Sequence, residues 1–240
     1  MKKFIQILSL STIIFSFHCT SKPNKKENVV KTNTKEKLKK KKAAEIKQVL
    51  EKKTTEPWDS LNSTNTAVFL TEYAKQNPET NIVIKTKFGN IKILLYEDVP
   101  MHRANFIFLT KIKYFNTTVI YRVAKNFVIQ GGNSDNMYTQ KQRRKYGNYL
   151  MQPEFKNHRK HKYGALAAAR QWENNPNKLS SPFEFYIVQK RDGAHHLDNE
   201  HTVFGEVISG FDTMDKISEV KVGVDEWPVK DIQMTIEILD

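Results

Sequence analysis

YRVAKNFVIQGG, Tyr121 to Gly132, is the stretch whose reading decides the fold. It sits across two short runs rich in β-branched and aromatic residues, Thr117–Ala124 and Phe127–Gln130. These predict two strands, with Gly131-Gly132 as a turn after them. Working outward, Ile82–Lys87 and Ile91–Tyr96 read as strands joined at Gly89-Asn90 as a hairpin. Ala165–Ala169, Glu184–Gln189 and Thr202–Ile208 read as further strands. The last strand is the clearest, because Ile232, Met234, Ile236 and Ile238 alternate with polar or charged residues. His102–Lys113 reads as a helix with Phe106, Leu109 and Ile112 inward, and Phe211–Ser218 as a short one. TAVFLTEYAKQ places Phe69, Leu70, Tyr73 and Ala74 on one face of an N-terminal helix within residues 65–80, stopped by Asn77-Pro78. Many short strands with two helices predict a mainly β chain, a closed antiparallel barrel capped by those helices, with the N-terminal helix as an addition. The basic segment Ser134–Tyr163 reads as a longer loop.

The net charge of +13 is unevenly placed. Thirteen Lys face five Glu between Thr20 and Pro57, whereas Trp58–Asp240 holds 24 basic and 21 acidic residues. The folded part is therefore nearly balanced, which argues against nucleic acid as its partner. Residues 1–18 read as a signal peptide: Lys2 and Lys3, then an apolar run from Phe4 to Phe17. That run falls short of the ~20 apolar residues a bilayer span needs. The lone cysteine, Cys19, follows it and resembles a bacterial lipoprotein processing site, although His18 stands where a small residue is usual. The resemblance implies a chain lipid-anchored to a membrane of the bacterial cell envelope, facing the periplasm or the outside. With no second cysteine, disulfides play no part in the fold. Residues 19–64 have too few apolar side chains to bury anything and read as a Lys-rich flexible tether. Its lysines would add roughly 1 kcal/mol each near an anionic surface.

Four segments carry the chemistry: YRVAKNFVIQGG, GALAAAR (Gly164–Arg170), FEFYIV (Phe183–Val188) and HHLDNEHTVFGEV (His195–Val207). In order and spacing they resemble the cyclophilin family of peptidyl-prolyl cis/trans isomerases, from about Asn81 to Asp240. The resemblance implies an eight-stranded barrel with a hydrophobic groove on its outer face, a monomer, no cofactor, and proline-containing unfolded or partly folded polypeptides as substrates. Arg122 matches the family's catalytic arginine. Phe127, Val128, Tyr186 and Leu197, with the face of His201, match the proline pocket. Gln130 matches the residue that binds the substrate backbone and orients the arginine. Ala169 and Arg170 match the stretch whose main chain pairs with the peptide before the proline. Three positions depart from the family's usual residues: Glu184 replaces Gln, Arg170 replaces Asn, and His196 stands where Trp is frequent. A carboxylate at Glu184, in the substrate-binding set, would repel a substrate carbonyl unless protonated or paired with a nearby cation, with Arg170 and Arg122 as candidates. Pairing with Arg122 would partly neutralise the catalytic charge.

Other chemistries fit less well. His195 and His196 are adjacent and cannot easily face one metal, and His201 is explained without one, so no metal is expected. Ser180-Ser181 lacks the G-x-S-x-G elbow of a hydrolase. The competing class is a non-catalytic proline-peptide-binding or chaperone module using the same groove. A third reading is a structural lipoprotein that acts through its tether. Removing the Arg122 side chain separates the first two, and deleting the tether isolates the third.

Overall fold

The computed structural model of the chain describes residues 61–147 and 149–239, so the expected signal peptide, Cys19 and the tether through residue 60 lie outside the described residues. Its elements in order are α1 (Thr66–Gln76), β1 (Asn81–Thr86), β2 (Gly89–Leu95), α2 (Pro100–Lys111), β3 (Val119–Ala124), β4 (Val128–Asn133), α3 (Met137–Lys145), β5 (Ala165–Ala168), β6 (Phe185–Val188), β7 (Val203–Ser209), α4 (Phe211–Ser218) and β8 (Ile232–Ile238). The eight strands close into one barrel in the order β1-β2-β7-β5-β6-β4-β3-β8, every pair antiparallel. Among the described residues, closure gives every strand a neighbour on both sides.

Alternation drives the packing. Ile82 pairs across from Ile93 and Ile84 from Ile91, and Ile84 pairs with Ile236 on the other side, which puts these buried side chains on one inward face. Phe106 of α2 plugs the barrel: its ring lies 4.6 Å from that of Phe115 and meets Phe185 edge-on at 5.3 Å. Each such ring contributes about 1.5–3 kcal/mol by leaving water. α1 packs on α2 through Phe69 and Tyr73 against Phe108. The buried Arg103 closes the same contact. Its guanidinium donates to the carbonyls of Asn77 (2.9 Å), Glu79 (3.2 Å) and Ala74 (3.4 Å), placing a cation at the negative end of α1.

Four expectations need correcting. The β1–β2 turn is Lys87-Phe88, because Thr86 pairs with Gly89, so Gly89 opens the second strand. Gly131-Gly132 is not a turn but the end of β4. Gly132 lies at φ +96, and a Cβ there would stand 2.0 Å from the Phe183 carbonyl oxygen, so the residue type serves a close strand approach. Ser134–Tyr163 is not simply a loop. It contains α3 and is pinned beyond it by the buried Tyr149 hydroxyl on Asn105 (2.6 Å). There too, Glu154 caps α2 by accepting from the amides of Met101 (3.1 Å) and His102 (2.9 Å). Lastly, the tether was expected to run to residue 64, yet Leu61 is buried in the core.

Candidate active site

One cross-strand row builds the site. Arg122 of β3 stands opposite Gln130 of β4, and Gln130 stands opposite Tyr186 of β6. Directly paired residues share a face, so these three side chains reach the same outer surface. The register of β3 slips between Ile120 and Arg122, leaving Tyr121 unpaired. Such a bulge re-aims side chains, and here Tyr121 and Arg122 line the same groove although they are neighbours in sequence. The groove has a volume of about 530 Å³.

All the catalytic and substrate-binding residues named from sequence except Glu184 line this groove: Arg122, Phe127, Val128, Gln130, Ala169, Arg170, Tyr186, Leu197 and His201. Phe127, Val128, Tyr186 and Leu197 form its apolar part. Tyr186 is held from beneath. Its ring stacks on that of His161, and its hydroxyl lies 3.0 Å from His161 Nε2, while Asp198 holds His161 Nδ1 at 2.9 Å. The carboxylate accepts from Nδ1–H, which leaves Nε2 to accept the Tyr186 hydroxyl. Burial pushes the Tyr186 phenol well above its ordinary range, so it stays a neutral donor. His201 meets the Tyr186 ring edge-on at 5.5 Å and sits 3.0 Å from the Ala168 carbonyl through Nδ1. Burial is the main cause that pushes His201 down to about 4, so at neutral pH it presents an uncharged ring.

Arg122 carries the groove's polar end. Its Nη1 donates to Gln130 Oε1 at 3.3 Å, and its Nε and Nη2 both reach Glu226 Oε2 at 2.7 Å. Gln130 Nε2 donates in turn to the Tyr121 hydroxyl, which donates to Glu184 Oε2 at 3.0 Å. Burial first, and Glu184 second, raise the Tyr121 phenol, so it remains protonated as that geometry requires.

Glu184 departs from its expected place. It pairs with neither Arg122 nor Arg170 but with Arg143 of α3, at 2.8 Å, and it lines a neighbouring hollow rather than the groove. Its charge is thus met by a cation outside the groove. Arg170 is occupied as well: Nε donates to the Glu200 carbonyl at 2.8 Å and Nη2 to Glu200 Oε2 at 2.7 Å. The main chain at the pair Ala169-Arg170 divides unequally. Ala169 donates to the Glu184 carbonyl and accepts from Ser181, whereas Arg170 makes no main-chain hydrogen bond among the described residues. Arg170 alone therefore presents a free backbone edge to an extended peptide.

The sequence reading missed Trp172, which lines the groove, stands 5.1 Å from His201 and lies under the Arg170 guanidinium at 4.1 Å. It also missed Glu226 and Arg143 as partners. No local signal marks them, since they lie 104 and 41 residues from the groups they bind. His196, where the family frequently has Trp, stacks on Phe127 at 5.6 Å and closes the same wall.

A family model described as cyclophilin type peptidyl-prolyl cis-trans isomerase/CLD matches residues 81–237. The chain is 32% identical over 170 residues to a peptidyl-prolyl cis-trans isomerase of Acinetobacter baylyi, covering 67% of this chain and 87% of that protein. It is 33% identical over 172 residues to peptidyl-prolyl cis-trans isomerase-like 2 of Rhizopus delemar, covering 69% of this chain but only 31% of the larger relative. The crystal structure of a Cryptosporidium parvum cyclophilin type peptidyl-prolyl cis-trans isomerase superposes with a TM-score of 0.57 at 23% identity, over 68% of this chain and 98% of that one. A second crystal structure of that protein was obtained in the presence of the dipeptide Ala-Pro.

Proposed function

The chain belongs to the cyclophilin-type peptidyl-prolyl cis-trans isomerases, and from that premise we propose that its groove rotates X-Pro bonds in polypeptides of the bacterial cell envelope. The observation that carries the reading is an always-charged guanidinium at the rim of an apolar pocket, aimed by Gln130 and backed by a free peptide-pairing edge at Arg170.

The chemistry asks little of the protein. The barrier is ~18–20 kcal/mol and arises from donation of the imide nitrogen lone pair into the carbonyl. Both isomers of X-Pro lie within about 1 kcal/mol, so only the rate needs help. Phe127, Leu197 and the faces of Tyr186 and His201 grip the ring and exclude water. Arg122 offers a donor to the proline nitrogen, drawing the lone pair out of resonance as the bond twists. A charged hydrogen bond worth about 1.5–3 kcal/mol accounts for roughly 10- to 150-fold in rate. The rest must come from fixing the peptide on one side of the rotating bond and from the dry pocket.

For the location, the support is the sequence of residues 1–60: a charged start, an apolar run, Cys19 and a lysine-rich stretch. Lipidation of Cys19 and a periplasmic or external face follow from that pattern. Mass spectrometry of the chain purified from membranes tests it. An acylated N-terminal Cys19 is expected, and a soluble chain without lipid would overturn the anchor.

The test of the activity is a protease-coupled assay on a proline tetrapeptide, wild type against Arg122→Ala. Turnover that collapses in the variant while peptide affinity holds is expected. Peptide binding without turnover in the wild type would instead make this a binding module.

A further inference from the structure

The loop between α4 and β8 is built to deliver one side chain. Lys221 to Val229 folds back on itself: Val229 donates to the Lys221 carbonyl at 2.9 Å, Gly223 to the Trp227 carbonyl at 2.8 Å, and Val222 bridges Pro228. Glu226 stands at its tip in the left-handed region, φ 64, a conformation a glutamate adopts rarely. Such backbone outliers persist where the surroundings over-determine them. Here they do: the Glu226 carbonyl accepts from Val123 of β3 at 2.9 Å, and Trp227 sets its ring 5.4 Å from that of Tyr121. Both ends of the residue are thus tied to the strand that carries Arg122.

The side chain completes the arrangement. One oxygen, Oε2, accepts from both Nε and Nη2 of Arg122, and only the Nη1 edge is left toward Gln130. A guanidinium on three flexible carbons would otherwise swing, and the fork has to be aimed to reach one lone pair. We propose that Glu226 is a positioning residue of the isomerase site, which fixes the azimuth of the Arg122 fork so that one edge faces the twisting X-Pro bond. The inference rests on the isomerase reading of the groove. It deepens that reading by assigning a second, distant loop to the site.

A counter-ion can also dampen a catalytic cation, and the two roles predict opposite signs. The experiment compares the full-length wild type with Glu226→Ala, Glu226→Gln and Arg122→Ala, separating kcat from KM on a proline tetrapeptide. It also follows the Arg122 Nε–H signal by NMR and the melting temperature. Positioning predicts that Glu226→Ala loses about tenfold or more in kcat with KM held within about twofold. Glu226→Gln, whose amide oxygen still accepts, should keep most of the activity and the ordered Nε–H signal, which the alanine variant loses. A Glu226→Ala enzyme as fast as the wild type or faster overturns the proposal. So does a Glu226→Gln enzyme that falls as far as the alanine variant. A wild type without turnover overturns the isomerase reading itself. That failure is distinguishable, because the Nε–H signal still reports whether Glu226 holds the guanidinium.

Discussion

Two arginines line one groove, and they do different work. Arg122 and Arg170 each answer a glutamate at 2.7 Å. The Arg170 side chain is only 4% exposed, has donors spent on the side chain and carbonyl of Glu200, and lies on the face of Trp172. Arg122 is 32% exposed and keeps an edge that only a 3.3 Å bond to Gln130 engages. An arginine whose hydrogens are consumed shapes a wall. One with an edge held only by a long bond to Gln130, beside an apolar pocket, can act on what enters.

The largest expected effect breaks the comparison outright. Arg122→Ala should lower kcat/KM by roughly 10- to 150-fold with the melting temperature little changed. Arg170→Ala should spare kcat within about threefold, and by opening a packed wall lower the melting temperature by about 2–4 °C for each 1 kcal/mol lost. Thermal melts beside the isomerisation assay check both. If Arg170→Ala costs as much in kcat as Arg122→Ala, the distinction between wall and actor fails.

A second, intermediate effect sharpens it through His201. Burial holds this imidazole at about 4 against an ordinary 6.5, with the Arg170 charge among the lesser causes and Arg122 absent from them. The unfolded chain therefore binds the proton first as pH falls, so this contribution to stability is complete above about 6.5 and is lost between 6.5 and about 4. His161, lowered mainly by burial, acts in the same direction. Melting temperature should rise from pH 4.5 to 6.5 and then level, and His201→Gln should flatten part of that slope. By NMR titration, Arg170→Gln should move His201 upward while Arg122→Gln leaves it in place.

The smallest effect concerns Glu184. Because its charge rests on Arg143, Glu184→Gln, which restores the family's usual residue, should change kcat/KM by less than about threefold. A larger gain would mean that the carboxylate reaches the substrate after all.

What could be read from the chain follows from which forces leave periodic traces. β8 shows its inward row as Ile232, Met234 and Ile236, and those residues are buried as their spacing predicts. The groove was legible because its members cluster in four short segments. α3 was not legible: MYTQKQRRK has no apolar stripe, and only Thr139 of its residues is buried. The helix is held instead by its Asn136 cap, by Thr139 on the Thr117 carbonyl, and by Arg143 on Glu184. Ionic pairings follow the same logic. Glu226 and Arg122 meet only after the barrel closes, and a single charge carries no record of its distant partner. Neighbouring residues pointing to one groove, as Tyr121 and Arg122 do, contradict strand alternation, and the bulge that permits it has no unique sequence mark.

Arg103 has a mechanical consequence. A pull on the chain ahead of Leu61 would meet that buried side chain and then α1, whose far end is buttoned to α2 by the three carbonyl bonds of the Arg103 guanidinium. The barrel strands, zipped laterally to two neighbours each, come next in line. Under such a load α1 would serve as a strain relief, loosening one helix before the strands that shape the groove lose their register.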